Sequence, residues 1–408
     1  MRILVVCHYF PPEIGAPQAR LSELAQAWSE SSDEVTVLTG MPNHPTGVVP
    51  ERYRGHLRLE ESVQGVRVVR TWLYATPNTG MVKKTLGHLS FMVTSFLLGV
   101  RPTGPADVVV VSSPTFFSVF SAWALARWKR ARLVVEVRDL WPAIFVELGV
   151  LRNRRVIRTL EALEMAAYRA ADAVVVVTEG FRDDLVGRGV PAEKVHVIPN
   201  GADLDRFDAA GEVDARARAE LGAGADECLV LYIGAHGISH GLGAVADAAA
   251  KLGGEAVHFA FVGEGAEKER LVSRVRELGL TNVTLRPGVP REQVSRLLAA
   301  ADVCLVPLRD VPLFSSFIPS KMFEYMAASK AVIGSVRGEP ARILEAAGAV
   351  VVEPEDAAAL ADAVRDLAAD PARRAAMGRQ GRAFVAEHFD RRKLADRYRA
   401  ILHQVASR

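Results

Sequence analysis

A chain of 408 residues is longer than one hydrophobic core usually supports, about 250 residues, so two domains are expected. Half of the residues are hydrophobic, enough for two α/β cores. A net charge of only +2 excludes a chain that binds nucleic acid by bulk electrostatics. The charge is also uneven. Residues 1–200 hold 23 Lys and Arg against 19 Asp and Glu, and residues 201–408 hold 27 against 29. A mildly basic first half suits a partner rich in phosphate. Cys7, Cys228 and Cys304 stand far apart in apolar runs, without metal-ligand spacing. They predict reduced core residues in a cytosolic protein. Only ILVVC separates Met1–Arg2 from His8, too short a run for a secretory signal.

In chain order, Arg2–Cys7 reads as a buried strand, HYFPPEIGAPQ as a loop and Ala19–Ser29 as a helix. Glu34–Leu38, Val66–Arg70, Asp107–Val111, Arg132–Val137, Ala173–Val177 and Val195–Pro199 read as strands. Helices such as Phe117–Trp128 and Arg155–Ala170 separate them, the rhythm of a doubly wound α/β sheet. Thr85–Val100 is apolar but interrupted by His88, Ser90, Thr94 and Ser95. It falls short of the about 20 apolar residues a bilayer span needs. Lys83, Lys84 and Arg101 flank it, and Arg152, Arg154, Arg155 and Arg158 cluster elsewhere. It reads either as a helix lying in an anionic membrane interface or as a buried core helix.

Asn200-Gly201 is a turn signal, and the charged stretch Asp208–Glu220 follows. The first domain is therefore placed at 1–200. The rhythm restarts at Cys228–Gly234 and runs through Val257–Val262, Val283–Arg286, Asp302–Val306 and Ala349–Val352, a second domain at 201–388. Asp356–Glu387 reads as helical, and 389–408 as a closing helix that packs back on the first domain.

Phe314–Ser335, FSSFIPSKMFEYMAASKAVIGS, reads as loop, helix, turn and strand. Pro319 or Ser320 can start the helix. Met322, Phe323, Met326 and Ala327 then repeat at the spacing of a buried face. Ser315, Ser316, Ser320, Lys321 and Glu324 gather on the polar side. Backbone N–H groups, a helix start and the mobile charge of Lys321 suit an anion. Glu324 can accept two hydroxyl protons, as a sugar diol requires. An ordinary surface helix with a solvated Lys and Glu is the alternative.

The opening MRILVVCHYFPPEIGAPQAR, the linker VIPNGADLDRF, YIGAHGISHGL, VGEG and PSKMFEYMAASKAVIGS, in that order, resemble the retaining GT-B glycosyltransferases of family 4. EVRDLWP and PSKMFEYMA are similar to the polysaccharide and O-antigen branch, which includes N-acetylfucosamine transferases. The resemblance implies two Rossmann-like domains facing across a cleft. It implies a glycosyltransferase that moves a sugar, N-acetylated and UDP-linked, to a lipid-linked saccharide with retention. It further implies a cytoplasmic enzyme, peripheral on the membrane, with no cofactor and no nucleic-acid partner. A GT-B sugar-nucleotide epimerase, a transferase acting on a soluble acceptor and a non-catalytic partner subunit are the competing readings.

By the same resemblance, Glu324 is the second Glu of the family's Glu-x7-Glu motif and binds the nucleotide ribose. Ser316 stands where the first Glu is expected, so backbone amides of 316–319 take over part of its grip on the donor sugar. His236 and His240 stand near the family's phosphate-binding Arg and Lys, each partly charged because an unperturbed imidazole titrates near ~6.5. Lys321 is then the main fixed cation on the β-phosphate. Gly15 and Ala16, Gly234, Gly263, Pro287, Gly288, Phe317, Ile318 and Ser320 complete the donor side. Arg138, Asp139 and Trp141 of EVRDLWP form the acceptor side, and Asp139, Lys321 and Glu324 are the catalytic candidates. A helix cap or an ion-pair partner of Arg138 is the alternative reading of Asp139. Asp203-Leu-Asp205 spells the metal motif of other glycosyltransferases, but in the interdomain linker, so no metal is expected.

Overall fold

The computed structural model describes residues 1–13, 15–44, 46–76, 81–113, 115–147, 149–208 and 215–408, and only the backbone of Ala16, Pro17 and Met81. Ile14 of the first loop and residues 209–214 of the charged stretch lie outside the described residues. The chain divides into two compact units, Met1–Pro199 with Arg392–Arg408, and Asn200–Arg391.

The first unit is built on an 8-stranded sheet. Its strands are β1 (Arg2–Val6), β2 (Glu34–Gly40), β3 (Arg58–Val63), β4 (Val66–Thr71), β5 (Val108–Ser112), β6 (Arg132–Val137), β7 (Ala173–Val176) and β8 (Val195–Val197). The order is β3-β4-β2-β1-β5-β6-β7-β8. The central strands are Val-, Ile- and Leu-rich because both faces of a parallel sheet are covered. The edge departs from the sequence reading: β3 runs antiparallel to β4. RLEESV is too polar to read as a buried strand, and a half-solvated edge is where such a strand survives. The hairpin turns at Gln64-Gly65, both at positive φ, the backbone twist that two-residue hairpin loops favour.

Helices α1 (Ala16–Glu30), α2 (Met81–Gly99) and α3 (Ser118–Lys129) cover this sheet. Along α1, Leu21, Leu24, Ala25 and Trp28 recur at three and four residues and are buried. The closing helix Arg391–Ala406 inserts Leu394, Ala395, Tyr398, Leu402 and Val405 into the same core. Trp28 donates its Nε1 hydrogen to Ala395 O at 3.1 Å and meets the Tyr398 ring edge-on at 5.2 Å.

The second unit has a 6-stranded, all-parallel sheet. Its strands are β9 (Cys228–Ile233), β10 (Val257–Val262), β11 (Val283–Arg286), β12 (Val303–Pro307), β13 (Ala331–Ser335) and β14 (Val350–Val352). They lie in the order β11-β10-β9-β12-β13-β14, the doubly wound arrangement. The segment expected as one helix over 356–387 is two, Ala357–Ala369 and Pro371–His388. Proline disfavours helix at the residue before it, and Asp370 caps the second helix by accepting from Arg373 N at 2.8 Å. Cys7, Cys228 and Cys304 are free and buried.

Trp28→Ala removes the ring that joins α1 to the closing helix. It should lower the stability of the first unit by about 3–5 kcal/mol in urea denaturation. Loss of less than about 1 kcal/mol would show that the closing helix does not depend on this contact.

Candidate functional site

The C-terminal ends of β9, β10, β11 and β12 carry the polar groups of the second unit. β9 runs into Gly234, whose φ of 143° favours glycine. A Cβ there would sit 3.1 Å from Lys321 Nζ, so the amine lies directly over this turn. The next loop locks onto the first. A Cβ on Gly263 would fall 1.8 Å from Gly234 O, and one on Gly265 2.4 Å from His236 O. His236 N donates to Glu264 O at 2.8 Å, and Lys268 Nζ ties Gly263 O and Arg286 O at 2.7 and 2.6 Å. Gly288, after β11, approaches Gly263. Gly234, His236, Gly263, Gly288 and Lys321 thus form one cluster.

Lys321 is neither the mobile charge expected from sequence nor the solvated lysine of the alternative reading. Its Nζ donates to Tyr232 Oη at 2.5 Å and lies 3.8 Å from the ring centroid. The same hydroxyl donates to Ala235 O at 2.5 Å. Tyr232 is buried, so the amine is fixed from below by an uncharged partner. Burial holds the Lys321 amine well below the usual lysine range, with Glu324 pulling the other way. The helix Lys321–Ala327 has 7 residues and no side-chain cap at Ser320, so its dipole adds little and the anion attraction rests on the amine.

The two histidines also differ from expectation. His236 is fully buried, with no hydrogen-bond partner for either ring nitrogen. Burial, with Lys268 and Lys321 nearby, pushes it down to about 4. His240 shares Nδ1 with Ser239 Oγ at 2.8 Å and is held well below its ordinary value by burial, Lys321 and His236. Both are neutral at pH 7, not partly cationic.

Positive charge arrives instead from residues the sequence reading missed. Burial pushes the Glu324 carboxyl up, and Arg291, Arg206 and Lys321 pull it back. Arg206 donates to Arg291 O, which joins the helix Asp205–Asp208 to the start of the helix Arg291–Ala300. Nothing in the spacing of 206, 291 and 324 marks them as neighbours. Ser316 turns inward: its Oγ donates to Leu313 O at 3.1 Å. Phe317 packs on Phe314, and Ile318 is buried. Pro287 lies in the loop after β11. One cavity, of about 770 Å³, opens at the opposite ends of these strands, beside Cys228, Val257 and Asp302. Its Arg218, Asp302 and Lys330 already bind each other or backbone carbonyls, so the candidate site is sought at the C-terminal ends.

In the first unit, Gly15 precedes α1 in extended backbone, and a Cβ there would meet only the Gln18 side chain. Ala16 opens α1, and its side chain lies outside the described residues. Glu13, not singled out in sequence, accepts from Phe10 N, Asn43 N and His44 N at 3.1, 2.8 and 2.8 Å, pinning the loops after β1 and β2 together. Burial raises its carboxyl to about 7. After β6, Arg138 is buried, Asp139 is half-buried with its carboxyl pushed up by burial, and Trp141 stacks on Phe116 at 4.4 Å. Asp139 makes neither a cap nor an ion pair among the described residues; Arg138 acts on it through charge alone. Arg20 binds Glu136 at 2.9 Å beneath them.

Residues 15–201 match the Glycosyl transferase 4-like domain, and residues 213–384 match Glycosyl transferases group 1. The chain is a GT-B glycosyltransferase. WcaI of Escherichia coli (strain K12), assigned as a colanic acid biosynthesis glycosyl transferase, is 28% identical over 90% of this chain and 91% of its own. Among solved structures, sucrose-phosphate synthase from Thermosynechococcus elongatus is similar with a TM-score of 0.75 and 22% identity, over 100% of this chain and 99% of its own. Anabaena Alr3699/HepE, solved with UDP and glucose, has a TM-score of 0.74 and 16% identity, over 99% of this chain and 100% of its own. These two share the GT-B fold.

Lys321 and Glu324 generate one prediction. An anion beside Lys321 favours its ammonium, so binding raises a pKa that burial had lowered. At a pH between the free and bound pKa values of Lys321, binding of UDP should therefore take up a proton, and affinity should fall as pH rises through the free-state pKa of Lys321. Calorimetry in buffers of different ionisation enthalpy reads the uptake. Lys321→Met should abolish it, Tyr232→Phe should weaken binding, and Glu324→Gln should weaken binding while leaving the proton uptake in place. Unchanged UDP affinity in all three variants would remove this cluster from the site.

Proposed function

We propose that the enzyme transfers a sugar from a UDP-linked donor to a hydroxyl of a lipid-linked saccharide, with retention, in the assembly of an envelope polysaccharide. The observation that carries this reading is the Lys321 amine, fixed over Gly234 by Tyr232, with Glu324 one turn further on beside Arg206 and Arg291. As the sugar–phosphate bond breaks, negative charge grows on the β-phosphate. A preorganised ammonium stabilises that charge, and removing one such contact costs about 10²–10³ in rate. Glu324 receives the ribose hydroxyls. The sugar leaves one phosphate oxygen as the acceptor oxygen arrives on the same face, and the acceptor proton passes to the leaving phosphate. No side-chain base is required, which suits a chain whose EVRDLWP motif carries Arg138 where the resembled family has a His. The relation to WcaI supports a polysaccharide acceptor, and the UDP bound by HepE supports the donor class.

The test is incubation with a panel of UDP- and GDP-sugars and lipid-linked saccharides, with mass measurement of nucleotide and product. A UDP-sugar should yield a glycosylated lipid, and activity should survive EDTA. Conversion of the sugar nucleotide without acceptor would replace this reading by an epimerase. Loss in EDTA, restored by Mg2+ or Mn2+, would overturn the assignment of Asp203-Leu-Asp205 as a metal-free linker.

The acceptor reading includes a membrane surface. Along α2, Val82, Leu86, Val93 and Leu97 form one exposed apolar stripe, with Leu97 65% exposed. Trp128 of α3 is exposed and meets Phe96 of α2 edge-on at 6.3 Å, and Trp123 of α3 is exposed as well. Lys83, Lys84 and Arg101 lie at the two ends of α2 and Arg127 and Arg130 at the end of α3, all exposed. Between Glu61 and Glu136 the one acidic residue is Asp107, and Arg2 neutralises it. An apolar stripe with tryptophans and basic helix ends fits the interface of an anionic leaflet, where each basic residue contributes about 1 kcal/mol. Flotation should show binding to anionic vesicles that high salt reverses and that Lys83/Lys84→Glu or Trp128→Ala weakens. Binding to neither anionic nor neutral vesicles would point to a soluble acceptor.

A further inference from the structure

At the end of β6 a charged group is buried with nothing to hold. Arg138 is 9% exposed, and its Nε and Nη1 are sealed from solvent without a hydrogen-bond partner. Its neighbours do not satisfy it. Glu136 is taken by Arg20, which binds Oε1 at 2.9 Å and also donates to Pro199 O and Ile198 O at 2.7 and 2.9 Å. Glu136 Oε2 itself has no partner. Asp139 forms no ion pair with Arg138 among the described residues, and burial pushes its carboxyl toward the neutral form. Arg20 and Arg138 both lie within the field of Glu136, yet Arg138 keeps two buried donors without an acceptor.

A charged donor stripped of water is costly until an acceptor reaches it. Guanidinium is a planar fork matched to the oxygens of phosphate and carboxylate. Other buried polar atoms without partners belong to the same end of the sheet. His8 Nδ1 follows β1, Ser113 Oγ follows β5, and Gln18 Oε1 lies in the first turn of α1. β1 and β5 are adjacent in the sheet and are the point where the strand order reverses. In open α/β sheets that crevice is where ligands bind. Trp141, three residues after Arg138, is stacked on Phe116 with an interplanar angle of 12°.

We propose that Arg138 receives an anionic group of the acceptor, a phosphate or a carboxylate, in a polar pocket at the β1/β5 switch of the first unit. The acceptor is then a charged saccharide and not a neutral one. This rests on reading the first unit as the acceptor side. Two sources carry that chemistry: the diphosphate that joins a saccharide to its lipid, or a uronate within the saccharide.

The experiment uses the full chain saturated with UDP, so that the second unit's anion site is filled. Inorganic pyrophosphate, D-glucuronate and neutral methyl glucoside are titrated by calorimetry into wild type, Arg138→Gln and Arg138→Lys. One anion should bind saturably to wild type, Arg138→Gln should weaken it tenfold or more, and Arg138→Lys should fall between. Preference for pyrophosphate identifies the lipid diphosphate, and preference for glucuronate identifies the saccharide. Methyl glucoside should show no dependence on residue 138. Absence of saturable anion binding, or equal binding to Arg138→Gln, would overturn the proposal. The melting temperature of ligand-free Arg138→Gln is the second readout. It should equal or exceed wild type, because an unsatisfied buried charge is gone; a marked drop would assign Arg138 to a structural network with Glu136 instead. UDP binding is measured first. Its absence would defeat the donor reading while the effect of Arg138→Gln on anion binding still decides this one.

Discussion

The Lys321 amine is held by a tyrosine and not by a carboxylate, and the second unit is arranged around that choice. A carboxylate within 4 Å would satisfy the ammonium and leave little attraction for a ligand. Tyr232 fixes position through its hydroxyl and its ring face without cancelling the charge. Tyr325 performs a parallel task one layer down. Its hydroxyl donates to Ile233 O at 2.9 Å and accepts from Ile233 N at 3.1 Å, so the end of β9 cannot fray. The nitrogen is thereby aimed before any ligand arrives, so little reorganisation is needed when an anion favours its ammonium form.

The glycines serve the same end. Gly234 brings the amine against bare backbone, and Gly263 and Gly265 let two loops close within van der Waals range of each other. Any side chain at Gly263 would collide with the Gly234 carbonyl, so these loops interlock through backbone hydrogen bonds. The buried His236 sits in this weave as a neutral ring. Its unpartnered nitrogens are a reserve of donor and acceptor capacity beside the site.

Both units concentrate unsatisfied polar groups at the C-terminal ends of their strands. The opposite ends are internally paired, as Arg218 with Asp302 and Arg132 with Asp172 show. The asymmetry follows from doubly wound topology, in which the loops leaving the carboxyl ends diverge at the switch point and open a crevice. In the first unit the group without an acceptor is a guanidinium, and in the second the amine is held by a tyrosine hydroxyl. The α2–α3 surface adds a third departure from a fully satisfied globule, an apolar stripe with tryptophans exposed to water.

Much of this was legible in the sequence, for a physical reason. Strands buried on both faces must be continuous apolar runs, so β1, β5, β6, β7, β9, β10 and β12 announce themselves. The repeated alternation with helices gives the doubly wound class, and short motifs in fixed order mark the GT-B resemblance. A helix break at Asp370-Pro371 was written there too, in a capping residue before a proline that composition alone obscured. What the sequence could not supply was the environment of each charge. Lys321 reads as a mobile cation until Tyr232, 89 residues away, is seen beneath it. His236 and His240 read as titrating groups until burial makes them neutral. Arg206 and Arg291 have no motif, because their approach to Glu324 depends on where two helices end. Charge state depends on desolvation and on neighbours distant in sequence. Local pattern therefore determined the fold of this protein, and tertiary packing alone decided which of its charges remain available to a ligand.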